Sequence, residues 1–378
     1  MIRRLLRAFV LTFTAVVVLL WAYLAWRLEA RGGWRLLLAT PFVLVWCVPI
    51  FYWDWVFDRN TDTQADELLH AAAYLSIGWI NFAVVLSLLR DAWLLLTTAA
   101  GAQAVWRPGP ECVLAGSFIA LALGMLAALR GPRVRRVDVP VQRLDPRLDG
   151  LRIVQISDLH VGPTLGLRYV RRVVRLALAL EADLFALTGD IVDGPVERLR
   201  HKLAPVAELA RARPAFLVMG NHDYYAGARP WIECFRSLGL RVLLNEHALL
   251  HPRGAPLVVG GVVDPAAYLD DPKARPQPEL ASAPEAGPAF RLLLAHNPRL
   301  APLGEQAGFD LQLSGHTHAG QFFPWTLAVR LVHAPHVAGL GRRGRMWVYV
   351  NSGTGSWGPP IRFGSEPELT LLRLVRAG

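Results

Sequence analysis

Cysteine is scarce in this chain: Cys47, Cys112 and Cys234 are the only three among 378 residues, and they are scattered. They cannot supply a disulfide framework or a CxxC metal pair. Lysine is scarcer still, since only Lys202 and Lys273 stand among the 40 basic residues, so nearly every positive charge is arginine. That skew reads as a coding bias. It weakens the step from a net charge of +10 and a pI near 10.1 to nucleic-acid binding, and no nucleic-acid partner is expected. Internal repeats are absent as well.

Hydrophobic residues are abundant, at 53% of the chain with a mean hydropathy of +0.31. The excess lies in the first third. Ala8–Trp26 and Leu36–Trp53 contain no charged residue, nor do Leu68–Leu89 and Val113–Leu129. Each is close to the ~20 residues that cross a bilayer core. Ala92–Trp106 is apolar but short and follows Arg90 and Asp91; it reads as a continuation of the third span or as an interfacial segment. Four spans are therefore expected within residues 1–130, an even number that returns the chain to its starting side.

Arg3, Arg4 and Arg7 precede the first span and Arg130, Arg133, Arg135 and Arg136 follow the last, which places both ends in the cytoplasm by the positive-inside rule. Arg27, Arg31 and Arg35 in the first connection count against that orientation. Three further apolar runs argue against a cleaved secretory signal. The expected location is an inner membrane with the later domain on the cytoplasmic side.

From residue 131 to 149 the chain is rich in arginine and proline and reads as a basic linker. A second domain is expected over 150–378, where short apolar segments recur: LRIVQIS, LFALTG, AFLVMG, LRVLLN, LVVGGVV, FRLLLAH, LQLSG, MWVYVN and ELTLLRLV. These are strand-length and rich in Val, Leu and Ile. Between the first two, Leu167, Val170, Val173, Val174, Ala177 and Leu178 keep helical spacing. Further helices are expected over 196–212 and 231–238, and 264–289, with six prolines, reads as a long surface loop. The domain is α/β with some parallel pairing.

Five histidines and several carboxylates stand where these strands give way to loops. Asp158 and His160 lie two apart after the first strand, a spacing that points both side chains the same way on an extended backbone. Asp190 follows 32 residues later, a distance suited to a strand, helix, strand crossover. GNHD (220–223), His296 in LLLAHNP, and GHTH (315–318) complete the series. Carboxylate, imidazole and one amide oxygen suit borderline divalent metals such as Mn, Fe, Co, Ni or Zn.

DLH, GDIVDG, GNHD, HNP and GHTH in this order resemble the calcineurin-like metallophosphoesterase superfamily, over about residues 150–375. The ending NSGTGSWGPPIRFG and the multi-span start are most similar to its transmembrane members and related bacterial phosphodiesterases, some of which cleave UDP-2,3-diacylglucosamine in lipid A synthesis. The resemblance implies a sandwich of two β-sheets flanked by helices, preceded by an all-α transmembrane region, and two divalent metal ions. It implies Asp158, His160, Asp190 and His318 on one metal, and Asp190, Asn221, His296 and His316 on the other, with Asp190 bridging. His222 is implied as the group that protonates the leaving oxygen and Asp193 as the residue that orients it. Ala319 stands where the family often has glycine, and GVVDP lacks a second acidic residue, so Asp264 receives no role.

Other residues keep two readings. Arg362 either steadies a substrate phosphate as a bidentate donor or serves as a structural loop residue. Phe322 to Trp325 either receive acyl chains and meet the membrane surface or pack in the core. The arginines of the first soluble helix face anionic headgroups or water. His70, His201, His247, His251, His333 and His336 read as ordinary packing or surface residues. The expected function is a membrane-held phosphoesterase acting on a lipid-linked phosphodiester or pyrophosphate. The alternatives are a broad phosphodiesterase on soluble nucleotides or phosphoproteins, and an inactive membrane sensor.

Overall fold

The computed structural model describes residues 2–56, 64–102 and 105–377. The chain forms two compact units, residues 1–126 with 358–361, and residues 127–357 with 362–378.

The first unit contains α1 (Ile2–Arg27), α2 (Gly33–Val56), α3 (Gln64–Ala99) and all but the last turn of α4 (Pro110–Leu129). Three stretches among the described residues are long and apolar enough to cross a bilayer: Val10–Arg27, Leu68–Ala99 and Pro110–Leu129. The second expected span, Leu36–Trp53, runs past the described side chains, and a shorter apolar stretch, Gly33–Cys47, is what can be described of it. α3 continues through residues 92–99, as one of the two sequence readings had it. Val17, Leu24, Phe42, Trp79, Ile80 and Ala83 pack together between α1, α2 and α3. A carboxylate among such residues needs partners, and Asp91 has an ion pair with Arg27 and a 3.1 Å hydrogen bond from the Tyr23 hydroxyl.

The second unit is built on twelve strands. β1 (Arg133–Gln142), β2 (Arg152–Ile156), β3 (Leu184–Leu187), β4 (Ala215–Leu217), β5 (Arg241–Val242) and β12 (Glu368–Ala377) form one sheet in the order β1-β12-β2-β3-β4-β5. β6 (Glu246–Leu250), β7 (Leu257–Gly261), β8 (Phe290–Leu294), β9 (Leu311–Ser314), β10 (Gly339–Arg343) and β11 (Met346–Val350) form the other, in the order β10-β11-β9-β8-β7-β6. β2, β3, β4 and β5 run parallel, as do β7, β8, β9 and β11.

Alternation along the strands makes two faces from each sheet. Leu184 and Ala186, with Leu292 and Leu294, face the core between the sheets, whereas Phe185 and Leu187 face helices on the outer side of the first sheet and Leu293 faces outward from the second. α5 (Leu167–Leu178), α6 (Val196–Leu203), α7 (Ala207–Ala212), α8 (Asn221–Tyr225) and α9 (Ala228–Ser237) follow on the first sheet, and α10 (Pro278–Ala281), α11 (Ala301–Gln306) and α12 (Trp325–His333) accompany the second. A buried polar bridge joins the sheets. Gln155 on β2 donates to Thr188 Oγ1 at 2.8 Å and to the Ser314 carbonyl on β9 at 2.9 Å.

The sandwich agrees with the sequence reading, but several local expectations do not. Most of the expected 131–149 linker is β1, paired along its whole length with β12. Its arginines and Pro140 suit a half-exposed edge strand, so its apolar period is weak. The expected 196–212 helix breaks into α6 and α7 around a tight turn at Ala204–Val206, where Pro205 lacks the N–H a continuous helix needs. The proline-rich stretch 264–289 holds α10 and two short turns rather than bare loop.

Candidate metal centre

Every candidate ligand stands just beyond the C-terminal end of a parallel strand, where open α/β sheets gather their binding residues. Asp158 and His160 follow β2, Asp190 follows β3, Asn221 opens α8 after β4, His296 follows β8, and His316 and His318 follow β9. The sandwich brings the strand ends of both sheets to one place.

The side chains fall into close groups. Asp158, His160 and His318 can direct one ligand atom each within 4.8 Å of one another, as can Asp190, His296 and His316, and likewise His160, Asp193 and His222. Asp190 Oδ2 is 3.2 Å from His296 Nε2 and 3.8 Å from His160 Nε2, so one carboxylate oxygen faces both sets. Asn221 Oδ1 lies 2.9 Å from His316 Nδ1 and 3.2 Å from His296 Nε2. The seven expected ligands are therefore brought together.

Does this set suit a cation? His160 Nε2 and His318 Nε2 are 2.9 Å apart, and His296 Nε2 and His316 Nδ1 are 3.3 Å apart. Two imidazole nitrogens aimed at one point share at most one proton, and a metal ion satisfies both lone pairs. Asp158 Oδ2 is buried without a hydrogen-bond partner among the described residues, although Oδ1 accepts from the His316 backbone N–H at 2.8 Å. Orphaned buried carboxylate oxygen is costly without a partner. The His296 ring is set by its Nδ1, 2.8 Å from the Thr188 carbonyl, which leaves Nε2 as the inward nitrogen. The donor set fits a borderline divalent cation.

The backbone is bent to make this arrangement. Asp158, His160, Asp190, His316, His318 and Ala319 all have φ between 47° and 71°. The left-handed region costs an L-residue roughly 1–2 kcal/mol, and such outliers gather at functional sites. Two glycines allow close approach. A Cβ on Gly315 would stand 2.0 Å from Asp158 Oδ2, and one on Gly320, at φ 80°, would stand 2.4 Å from the Trp325 carbonyl.

Asp193 links the ligands to the expected acid. Its Oδ1 is 2.9 Å from His160 Nδ1 and 2.8 Å from His222 Nδ1, so a single oxygen orients both rings. Burial works against the Asp193 charge, yet His160 and His222 hold its carboxyl well below the usual range. Burial likewise opposes the charged form of His222, but Asp190 and Asp193 outweigh it and raise the imidazole to about 9. Burial, His296 and other neighbouring cations bring His316 down to about 3, the neutral form a metal ligand needs.

Residues that the motifs did not single out complete the site. Asp223 is fully buried and accepts from the backbone N–H groups of Gly220, Ile191 and Val192 at 2.8, 2.8 and 3.1 Å. It ties the loop of Asp190 to the loop of Asn221; the fourth letter of GNHD was the available signal. His333, expected to be ordinary, packs its ring against His316 with centroids 5.3 Å apart. Tyr225 and Trp357 lie 5.4 and 5.9 Å from the His222 ring. Asp264 caps the turn that follows it through Ala266 N–H.

Arg362 does not present its fork to a substrate. It is 1% exposed, and its guanidinium donates to the carbonyls of His318 at 3.0 Å, Ser352 at 2.7 Å and Gly353 at 3.0 Å, and to that of Gly355. Its Nη2 also lies 3.2 Å from His318 Nδ1. Of the two sequence readings the geometry matches the structural one, because every inward N–H but Nε is already engaged behind the metal loop. Burial lowers this guanidinium to about 10. Phe322 is buried, as the packing reading has it, whereas Trp325 and much of α12 are exposed.

Two mixed sheets that bring aspartate, histidine and asparagine from successive strand ends onto cation-sized clusters define a metallophosphoesterase. The calcineurin-like phosphoesterase family matches residues 151–320, and the chain belongs to it. It is 35% identical over 297 residues to a transmembrane protein with metallophosphoesterase domain from Danio rerio, covering 72% of this chain and 66% of that one. A bovine (Bos taurus) protein of the same description is 33% identical over 334 residues, 82% of this chain and 74% of the relative. A Helicobacter pylori metallophosphoesterase is 34% identical over 256 residues, 67% of this chain and 66% of the relative. The chain thus spans two thirds to three quarters of the length of these relatives.

Proposed function

We propose that this protein is a membrane-held phosphoesterase that hydrolyses phosphodiester or pyrophosphate bonds with two divalent ions, on a lipid-linked substrate. The observation that carries the reading is the position of Asp190 Oδ2 between two His-rich groups, 3.2 Å from His296 and 3.8 Å from His160, with His222 attached to the same cluster through Asp193. Asp158, His160, Asp190 and His318 would hold one ion, and Asp190, Asn221, His296 and His316 the other. When bound, such a pair neutralises phosphate charge and supplies a nucleophile at neutral pH.

The chain's own residues do the rest. His222, cationic below about 9, holds a proton beside the cluster and delivers it to the departing oxygen. Asp193 fixes that ring at Nδ1, which leaves Nε2 as the donor. The neutral amide of Asn221 limits negative charge in the site, so that a phosphate anion is still attracted. Asp223 holds the two loops in register through three backbone N–H groups.

Confinement to the bilayer raises the effective concentration of a substrate that is itself a lipid. A nucleotide-linked lipid such as UDP-2,3-diacylglucosamine is the first substrate to test. A soluble nucleotide is the second, because Tyr225 and Trp357 beside His222 offer flat faces to a base. With four spans and cytoplasmic ends, the domain faces the cytoplasm, and a reporter fused after Gly378 tests that. For the enzyme itself the test is full-length protein in mixed micelles, assayed on bis(p-nitrophenyl) phosphate and on both candidate substrates. Asp190→Ala should abolish hydrolysis and lower metal content. Metal-replete wild type that hydrolyses none of the three overturns the reading.

A further inference from the structure

α12 is amphipathic in an inverted sense. At 100° per residue, Leu327, Ala328, Leu331, Val332 and Trp325 fall on one continuous arc of about 160°. That arc points away from the domain: Leu331 is 89% exposed, and Leu327 and Val332 are each 54% exposed. The opposite arc contains Thr326, Val329 and His333, and it is the face that meets the metal loop. His333 packs on the ligand His316 at 5.3 Å, and the Trp325–Thr326 backbone closes against Gly320. Helices on a water-facing surface turn leucine inward, so this one needs an apolar or interfacial medium on its outer side.

We propose that α12 lies in the headgroup layer of the membrane that this chain spans, with its leucine face toward the acyl chains. Several observations select that occupant. Three helical stretches of the same chain are long and apolar enough for a bilayer, and only Arg130, Gly131 and Pro132 separate α4 from β1. The helix has nine residues, too short to span but sufficient to lie in the interface. Cations border the apolar arc: Arg330 is exposed on the helix itself, and Arg299 donates to the Val332 carbonyl at 2.7 Å at its C-terminal end. Arginine beside an apolar face matches anionic headgroups.

The inference rests on the membrane-held phosphoesterase reading and deepens it. A helix that packs on His316 through His333 and is itself seated among headgroups puts the candidate metal ligands close to the level of lipid phosphates. The substrate class is then a lipid whose acyl chains stay in the bilayer while its phosphoester enters the site from the side of α12.

The test uses full-length protein with Cys47, Cys112 and Cys234 changed to serine, reconstituted in vesicles of phosphatidylcholine and phosphatidylglycerol. An environment-sensitive fluorophore is placed through Leu331→Cys or, as the comparison, through Leu249→Cys on the edge strand β6, which is also exposed. Lipid-borne nitroxide should quench the label at 331 about threefold more than that at 249, as insertion to the acyl boundary requires. Equal quenching at the two positions, or a label at 331 shielded from lipid and water alike by a second copy of the chain, overturns the proposal. This readout needs no catalysis, so it stands or falls apart from the enzymatic reading. In a second arm, Leu327→Glu with Leu331→Glu should lower hydrolysis of the bilayer-borne substrate about tenfold or more while leaving bis(p-nitrophenyl) phosphate unaffected. Equal loss on both substrates overturns the placement of α12 at the lipid entrance.

Discussion

Replacing Asp193 with asparagine changes one atom and separates two tasks. In the native site Oδ1 orients His160 at 2.9 Å and His222 at 2.8 Å, and the carboxyl is 12% exposed, so little solvent screening applies. An asparagine oxygen in the place of Oδ1 can still accept from both rings, but the negative charge that strengthens both bonds is gone. A hydrogen bond to a charged group contributes about 1.5–3 kcal/mol against about 0.5–1.5 kcal/mol for a neutral one, so removing the charge corresponds to about a tenfold effect at each ring. Two different readouts should each carry it. Metal affinity should fall about 10–100-fold, as for other partners of ligating histidines. At saturating metal, turnover should remain depressed for alkyl leaving groups, which need a proton, and recover for p-nitrophenolate, which does not. Titration of metal content followed by kcat on a leaving-group series measures both. Equal loss across the whole series at saturating metal, with metal affinity unchanged, would refute the claim that Asp193 acts through the two histidines.

His222 gives a pH dependence of defined sign. Asp190 and Asp193 raise its value to about 9 against the effect of burial, so the acid form is present below that value and is lost as pH rises through it. Ions bound at Asp190 weaken the attraction, so the basic limb of kcat for poor leaving groups should fall at or below about 9, and His222→Gln should lack that limb. Arg362→Met should destabilise the protein by about 3 kcal/mol or more, since four carbonyls lose a buried charged donor. Denaturant unfolding measures that, and a raised KM with unchanged stability would instead restore Arg362 to the substrate. Ala319→Gly should raise Tm by about 2 °C, because alanine at φ 51° is strained and glycine is not, partly offset by the entropy of the unfolded chain.

The candidate ligands were legible because a metal site would constrain residue type and order at once. The 32-residue step from Asp158 to Asp190 is the length of a crossover, but the extended backbone expected at Asp158 and His160 is not found: both lie beyond β2 with φ of 52° and 47°, so the loop's left-handed bends, not strand alternation, aim the two side chains. The apolar segments likewise revealed β2 to β5, β7 to β9, β11 and β12, whose buried faces need continuous Val, Leu and Ile. β1, β6 and β10 were not legible. All three lie at sheet edges, where charged residues and glycine are tolerated and the pairing partner, not the strand's own residues, determines its conformation. α12 escaped for another reason: its leucines point outward, so the usual link between apolar spacing and a buried face fails.

By itself, then, the sequence determined the membrane-length apolar runs, the strand-length apolar segments, and the ordered set of candidate ligands, because each is a local pattern of residue type. Tertiary structure decided relationships that no local pattern encodes. It put one oxygen of Asp193 on both His160 and His222, engaged Arg362 with four carbonyls behind the metal loop, and set His333 against His316. These depend on which loop ends meet when the two sheets pack, and that is a property of the whole sandwich.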